Sequence, residues 1–184
     1  GSVYGIKEEE KVTEDLELTP ISEYNKSKMI AERVLLSYAD EINLTILRPA
    51  TVCGLSKRMR LDVSVNLLTM SALSKGIITV LGGSQIRPNV HIEDICDSYL
   101  FFLDNPNYNG IYNIGFENIS ILDIAKKIQN KLGSKIEIKD NNDDPRSYRL
   151  SSEKILKIGF KPKKNVENAI DEIILAYKNK ELYD

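Results

Sequence analysis

The sequence predicts an α/β fold. Segments with helical spacing alternate with short β-rich runs. Glycine or proline stands at most of the boundaries between them. No internal repeat or low-complexity linker interrupts the alternation.

In chain order, Ser22 is placed to cap a helix running to about Ala39, with Ile30, Val34 and Tyr38 on one face at four-residue spacing. The β-rich run from Asn43 to Arg48 is stopped by Pro49. A polar loop leads to a helix from about Val63 to Ser74, ended by Gly76. Ile77 to Leu81 reads as a strand closed by Gly82 and Gly83, and a helix follows from about Ile92 to Leu103, broken at Asn105-Pro106. Ile111 to Ile114 is a strand ending at Gly115, and Ser120 is placed to cap a helix through Leu132, followed by Gly133. Lys135 to Lys139 alternates strictly, as a half-exposed strand does. After the acidic, turn-rich stretch from Asp140 to Pro145, a short helix near Ser152 to Ile158 and an amphipathic one from about Val166 to Asn179 complete the chain.

Composition bounds the function. With 184 residues there is room for one domain or two small lobes sharing a core. Apolar residues make up 42%, charged residues 28% and the net charge is −2, the balance of a globular protein. The longest apolar runs, Tyr99 to Leu103 and Ile173 to Tyr177, fall far short of the ~20 residues that cross a bilayer. No signal or transit segment is visible at the amino terminus, so no membrane association and a cytoplasmic location are expected. The basic cluster Lys57-Arg58-Met59-Arg60 is short and has no interleaved aromatics, so no nucleic-acid partner is expected. With Cys53, Cys96 and one histidine, and no CxxC, no metal site is expected; the two thiols read as free and buried.

The first residues with chemical interest are Tyr24 and Lys28, which share one face of the first helix one turn apart. Phenols ionise near pH ~10, and a neighbouring ammonium favours the phenolate. Such a phenol exchanges a proton with a substrate hydroxyl. The pair alone also arises by chance on an exposed helix in a chain with nine tyrosines.

Further motifs stand in register with it. Val3-Tyr4-Gly5 lies upstream; Ala31-Glu32, Leu47-Arg48-Pro49, Val52 and Gly54 follow; then come the stretch Arg87 to Asp94 and Tyr112-Asn113-Ile114-Gly115. In this order the whole chain resembles the extended short-chain dehydrogenase/reductase family, in its nucleotide-sugar epimerase and dehydratase branch. The resemblance implies the carboxyl-terminal part of a Rossmann-like doubly wound sheet, with a small mixed α/β substrate-binding lobe. Residues 1–60, with parts of 77–115, would belong to the NAD(P)-binding domain, and 61–184 mainly to the substrate lobe.

The resemblance also implies roles. Tyr24 is the proton-transfer tyrosine and Lys28 its partner, holding the cofactor ribose; Ala50 lies near the nicotinamide. Thr51, Asn66 and Arg87 bind substrate, Arg87 through the diphosphate, which a guanidinium matches two oxygens at a time. The implied cofactor is NAD or NADP, the substrate a nucleotide sugar and the complete protein a homodimer. Three departures follow. The Gly-x-x-Gly-x-x-Gly phosphate loop is absent, so this chain alone is expected to bind NAD(P) weakly and to be inactive. Ser2 stands two residues later than the family's catalytic hydroxyl. An Arg-x-Gly-Asp segment reads here as Asn141 to Arg146, leaving Asp144 for a ribose and Arg146 to replace the arginine, with a solvated turn as the alternative. His91 reads as structural. Two other functions remain open: a non-catalytic scaffold of the same fold, and a reductase of non-nucleotide ketones.

Overall fold

The computed structural model describes residues 2–7, 9–139 and 147–182. After a 3-10 turn at Ser2–Tyr4, six helices and seven strands follow among these residues. They are α1 (Glu23–Leu36), β1 (Thr45–Pro49), β2 (Thr51–Cys53), α2 (Ser64–Lys75), β3 (Ile77–Leu81), β4 (Ile86–His91) and α3 (Ile92–Asp104). Then come β5 (Gly110–Ile114), β6 (Glu117–Ser120), α4 (Ile121–Leu132), β7 (Lys135–Lys139), α5 (Glu153–Lys157) and α6 (Val166–Lys178).

The caps are where the sequence puts them. The Ser22 hydroxyl accepts from Asn25 N, and that of Ser120 from Asp123 N. Gly76 and Gly133 end α2 and α4 in the left-handed conformation, each returning its N–H to the preceding turn. Three strands have no alternating pattern to announce them: β2, β4 and β6. β4 is polar in sequence, yet four of its residues are buried because β2 pairs with it on one side and β6 on the other. Tertiary burial, not propensity, makes that strand. Pro49, read from sequence as a stop, is the last residue of β1. Ala50 N–H donates to Ile114 O, so the proline nitrogen one residue earlier faces the side of β1 that has no partner strand among the described residues.

Among the described residues three small sheets form: β1 with β5 in parallel, β2-β4-β6, and β3 with β7 in parallel. The chain crosses from the first sheet to the second twice, at Ala50 between β1 and β2 and at Gly115 between β5 and β6. The crossings touch. A Cβ on Gly115 would stand 2.7 Å from Ala50 Cβ. Two buried cores lie on either side. One joins Tyr4, Ala50, Phe102, Tyr112, Ile114 and Ile155; the other joins Val65, Ile78, Ile124, Ile128, Ile170 and their neighbours on α2, β3, α4 and α6.

A buried polar network fixes α1 against β1. Arg48 on β1 forks onto Glu32 on α1, through Nε to Oε2 at 3.0 Å and through Nη2 to Oε1. The two side chains are 5% and 8% exposed. Arg48 Nη1 donates to Tyr4 Oη (2.6 Å) and to Glu14 O (3.0 Å), and Tyr4 Oη donates onward to Asn113 Oδ1 (2.7 Å) on β5. Burial pushes the Tyr4 phenol's pKa up, with the Arg48 guanidinium pulling against it. Gly5 follows with φ of 73°, and a Cβ there would lie 2.0 Å from Thr19 O, so the turn after Tyr4 requires glycine.

The cysteines differ. Cys53 is buried and its thiol is pushed up to about 12 by burial. Cys96 is exposed, not buried as its apolar sequence neighbours suggest, because α3 turns Ile95, Ser98 and Phe102 inward and Cys96 outward. A thiol-specific reagent is therefore expected to label one cysteine rapidly in the native protein and the second only on unfolding, and Cys96→Ser should remove the fast phase. Breaking the buried pair by Glu32→Gln or Arg48→Met is expected to cost about 3–5 kcal/mol in chemical denaturation. Removing both partners should cost less than the sum of the two.

Candidate functional site

A cleft of about 780 Å³ opens beside the sheet crossing. α1 gives it Tyr24 and Lys28, the crossing gives Ala50 and Thr51, α2 gives Asn66 and β4 gives Arg87. Every described residue proposed from sequence thus meets in one place. Asp144, Arg146 and the Ser2 side chain lie outside the described residues.

Tyr24 is 65% exposed, so its ring stands in the cleft and not in a core. Lys28 Nζ sits over that ring, 5.3 Å from its centroid, as the i, i+4 spacing on α1 dictates. Ala50 is buried at the crossing, and Thr51 follows it in β2, in register with Asn89 of β4. At the carboxyl end of a parallel strand, where the chain leaves one sheet for another, a concave site is expected.

Asn66 is more deeply placed, at 3% exposure. Its Oδ1 accepts from Gly54 N (3.1 Å) and its Nδ2 donates to Arg60 O (3.0 Å), which clamps both sides of the loop between β2 and α2. Gly54, at φ of 108°, has His91 Nε2 2.8 Å from where its Cβ would be. The clamped loop brings Arg58 and Arg60 to the cleft wall, and the stretch before Leu150 brings Tyr148. None of these three was singled out as a site residue from sequence. The signal for the arginines was present in the cluster Lys57 to Arg60, which nucleic-acid criteria alone pass over; Tyr148 gave none.

His91 is held at both nitrogens. Its Nδ1 accepts from Glu93 N at the start of α3 (3.2 Å), which leaves the proton on Nε2, 3.1 Å from Glu172 Oε2. Glu93 and Glu172 are bridged by Lys164 Nζ at 2.7 and 2.5 Å, so an ammonium already stands where a cation would sit between them.

With this geometry the comparison with known proteins is specific. The model of the NAD dependent epimerase/dehydratase family matches residues 1–115. The chain belongs to that family. Among curated members, UDP-glucose 4-epimerase of Lactobacillus helveticus is 29% identical, over 96% of this chain and 61% of that protein. An anthocyanidin reductase of Vitis vinifera is 27% identical, over 97% of this chain and 57% of that one. Among solved structures, UDP-glucuronic acid 4-epimerase from Bacillus cereus, in complex with UDP-glucuronic acid and NAD, superposes with a TM-score of 0.83 at 27% identity, over 97% of this chain and 59% of that one. A Bacillus anthracis dTDP-glucose 4,6-dehydratase in complex with NAD shares the fold, with a TM-score of 0.84 at 24% identity over 99% of this chain and 61% of that one. The chain thus spans about 60% of the length of the relatives it matches. The Rossmann-like α/β class expected for the epimerase/dehydratase family is the fold these structures share.

Within the described residues no helix is long and apolar enough to cross a membrane. The clamp generates a prediction. Asn66→Ala would leave the buried Gly54 N–H without its acceptor, at a cost of about 1–3 kcal/mol. Hydrogen exchange is expected to accelerate at Gly54 and through the loop to Arg60, while the exchange pattern of α4 stays unchanged.

Proposed function

We propose that this chain carries the proton-transfer and ligand-gripping residues of an NAD(P)-dependent nucleotide-sugar epimerase, dehydratase or reductase. The observation that carries this reading is the single cleft gathering Tyr24, Lys28, Ala50, Thr51, Asn66 and Arg87.

Bound NAD(P)+ would supply the oxidant, taking a hydride from a sugar carbon and returning it. The residues of the cleft fit one end of that cofactor. The Tyr24 phenol is exposed, the Lys28 ammonium stands beside it, and Ala50 lines the same cleft. No glycine-rich loop is present to cradle a pyrophosphate. The chain by itself should therefore bind NAD(P) weakly and be inactive.

In the complete protein Tyr24 exchanges a proton with the hydroxyl on the reacting carbon. Lys28 stabilises negative charge developing on the phenolic oxygen and donates to a ribose hydroxyl. Arg87 grips the diphosphate, Thr51 contacts the sugar, and Asn66 serves substrate by holding the loop that walls the cleft. Residues 1–60 with parts of 77–115 form the cofactor side and 61–184 mainly the substrate side, although Leu150, Ile155 and Phe160 pack into the core of Tyr4 and Ala50, and Cys53 into the other. We place the protein in the cytoplasm. It pairs with a second copy through the exposed apolar residues Ile30 and Val34 on α1, Tyr38 just after it, and Leu67 on α2. A second reading, reduction of a non-nucleotide ketone, is favoured by the likeness to the grapevine anthocyanidin reductase. It leaves Arg87 without a phosphate to hold.

Calorimetric titration with UDP, dTDP, GDP and CDP separates the two readings. The nucleotide-sugar reading expects saturable binding of one of them, weakened on the order of ten-fold or more by Arg87→Ala. Equal binding by the variant would remove Arg87 from the site, and no binding of any nucleotide would favour the reductase reading.

A further inference from the structure

A second, smaller groove, about 320 Å³ in volume, lies between β4, the start of β6 and the stretch from Pro162 to Val166 that leads into α6. It shares no lining residue with the cleft. Asn89 of β4 and Glu117 of β6 both line it. These two are direct partners in the antiparallel ladder, so their side chains stand on the same face of the sheet, about 5 Å apart at Cβ. Asn89 is 0% exposed. Its Nδ2 donates to Arg87 O (2.9 Å), and a flipped amide would set oxygen against oxygen, so its orientation is fixed. Asn89 Oδ1 is then buried without a donor, a state that folded proteins rarely leave without a reason. Glu117 is half satisfied: Oε2 accepts from Val166 N (2.8 Å), and Oε1 has no partner among the described residues.

The two lysines at the rim are committed elsewhere. Lys163 Nζ pairs with Asp97 at 2.7 Å, and Lys164 Nζ bridges Glu93 and Glu172. Their backbone N–H groups both go to the Asp94 carboxylate. His91 is held at both ring nitrogens. The sheet wall of the groove is thus left with two acceptors in want of donors, one neutral and one charged. The field there is negative as well. Cys53 stands in register with His91. Burial first, and then the carboxylates of Glu117, Glu172 and Asp94, push its thiol up to about 12. Two side-chain oxygens are too few for a hard metal ion such as calcium, which gathers six or more. They suit an ammonium, whose few donors are directional.

We propose that this groove binds a primary ammonium group, which gives one N–H to Asn89 Oδ1 and a second, charge-assisted, to Glu117 Oε1. The Phe116 ring lines the same groove and offers an apolar wall to the attached carbon, with attraction to the cation where its face is presented. The neutral acceptor fixes direction and the carboxylate supplies most of the affinity. This site is independent of the reading of the cleft and stands or falls without it.

The test follows backbone amide chemical shifts while the chain is titrated, at fixed ionic strength, with methylammonium, tetramethylammonium or potassium chloride. Wild type is compared with Glu117→Gln, Asn89→Leu and Glu137→Gln. Glu117→Gln keeps an oxygen for Val166 N and removes only the charge, so the fold is retained. Glu137 lies on β7 outside the groove, and its loss controls for net charge. Methylammonium is expected to give saturable shifts at Phe116, Glu117 and Val166, while tetramethylammonium, which has no N–H, gives none. Glu117→Gln should weaken that binding on the order of ten-fold, with Glu137→Gln unchanged. Asn89→Leu should weaken it too, with a smaller effect. Equal shifts from tetramethylammonium or potassium would show charge screening alone and overturn the proposal. So would equal affinity in wild type and Glu117→Gln, or no saturable shift with methylammonium, which would leave Asn89 Oδ1 to a water molecule.

Discussion

The fork of Arg48 on Glu32 is the contact on which the arrangement of the site depends. Two charges removed from water are tolerated only where geometry is good and the remaining donors are satisfied. Here Tyr4 Oη and Glu14 O take the rest of the guanidinium, and Asn113 takes the Tyr4 proton. The network therefore ties together five stretches of chain, at Tyr4, Glu14, Glu32, Arg48 and Asn113. One of them is α1, which carries Tyr24 two turns before Glu32; another is β1, which delivers Ala50 two residues after Arg48. Val-Tyr-Gly, Ala-Glu, Leu-Arg-Pro and Tyr-Asn-Ile-Gly look like unrelated fragments in the sequence. In the fold each contributes one partner to the same buried circuit.

How much of this was legible in the sequence follows from where each signal is stored. The helices were legible because capping and periodicity are local: Ser22, Gly76, Ser120 and Gly133 act within a turn of themselves. β1, β3, β5 and β7 carry apolar side chains at strand spacing and were equally visible. β4 was not, since Arg87, Pro88 and Asn89 become strand residues only by pairing with β2 and β6. The site was legible through Tyr24, Lys28 and Arg87, whose residue types declare their chemistry. Arg58 and Arg60 were passed over because a short basic cluster means little until Asn66, six to eight residues on, is seen to fold it against the cleft.

Charge shows the same difference between average and place. A net charge near zero says nothing against an anion site when acids and bases are sorted by the fold. The acids of α3 and α6 face Lys163 and Lys164, and those of α6 also face Lys127 and Lys131. The arginines of the β2–α2 loop and β4 face the cleft. Composition averages over both and cancels them.

The contact of Gly115 with Ala50 has a consequence for how such a site tolerates change. The chain passes between its two main sheets twice, and both passages meet where one hydrogen atom faces one methyl group. At the crossing, the separation of the β1 side from the β4 side is thus gauged by a hard-sphere spacer, while the placing of Tyr24 on the β1 side rests on the Arg48–Glu32 fork. Loops around the rim are free to acquire or lose charged residues, and so to accept different ligands, while the width of the opening stays the same.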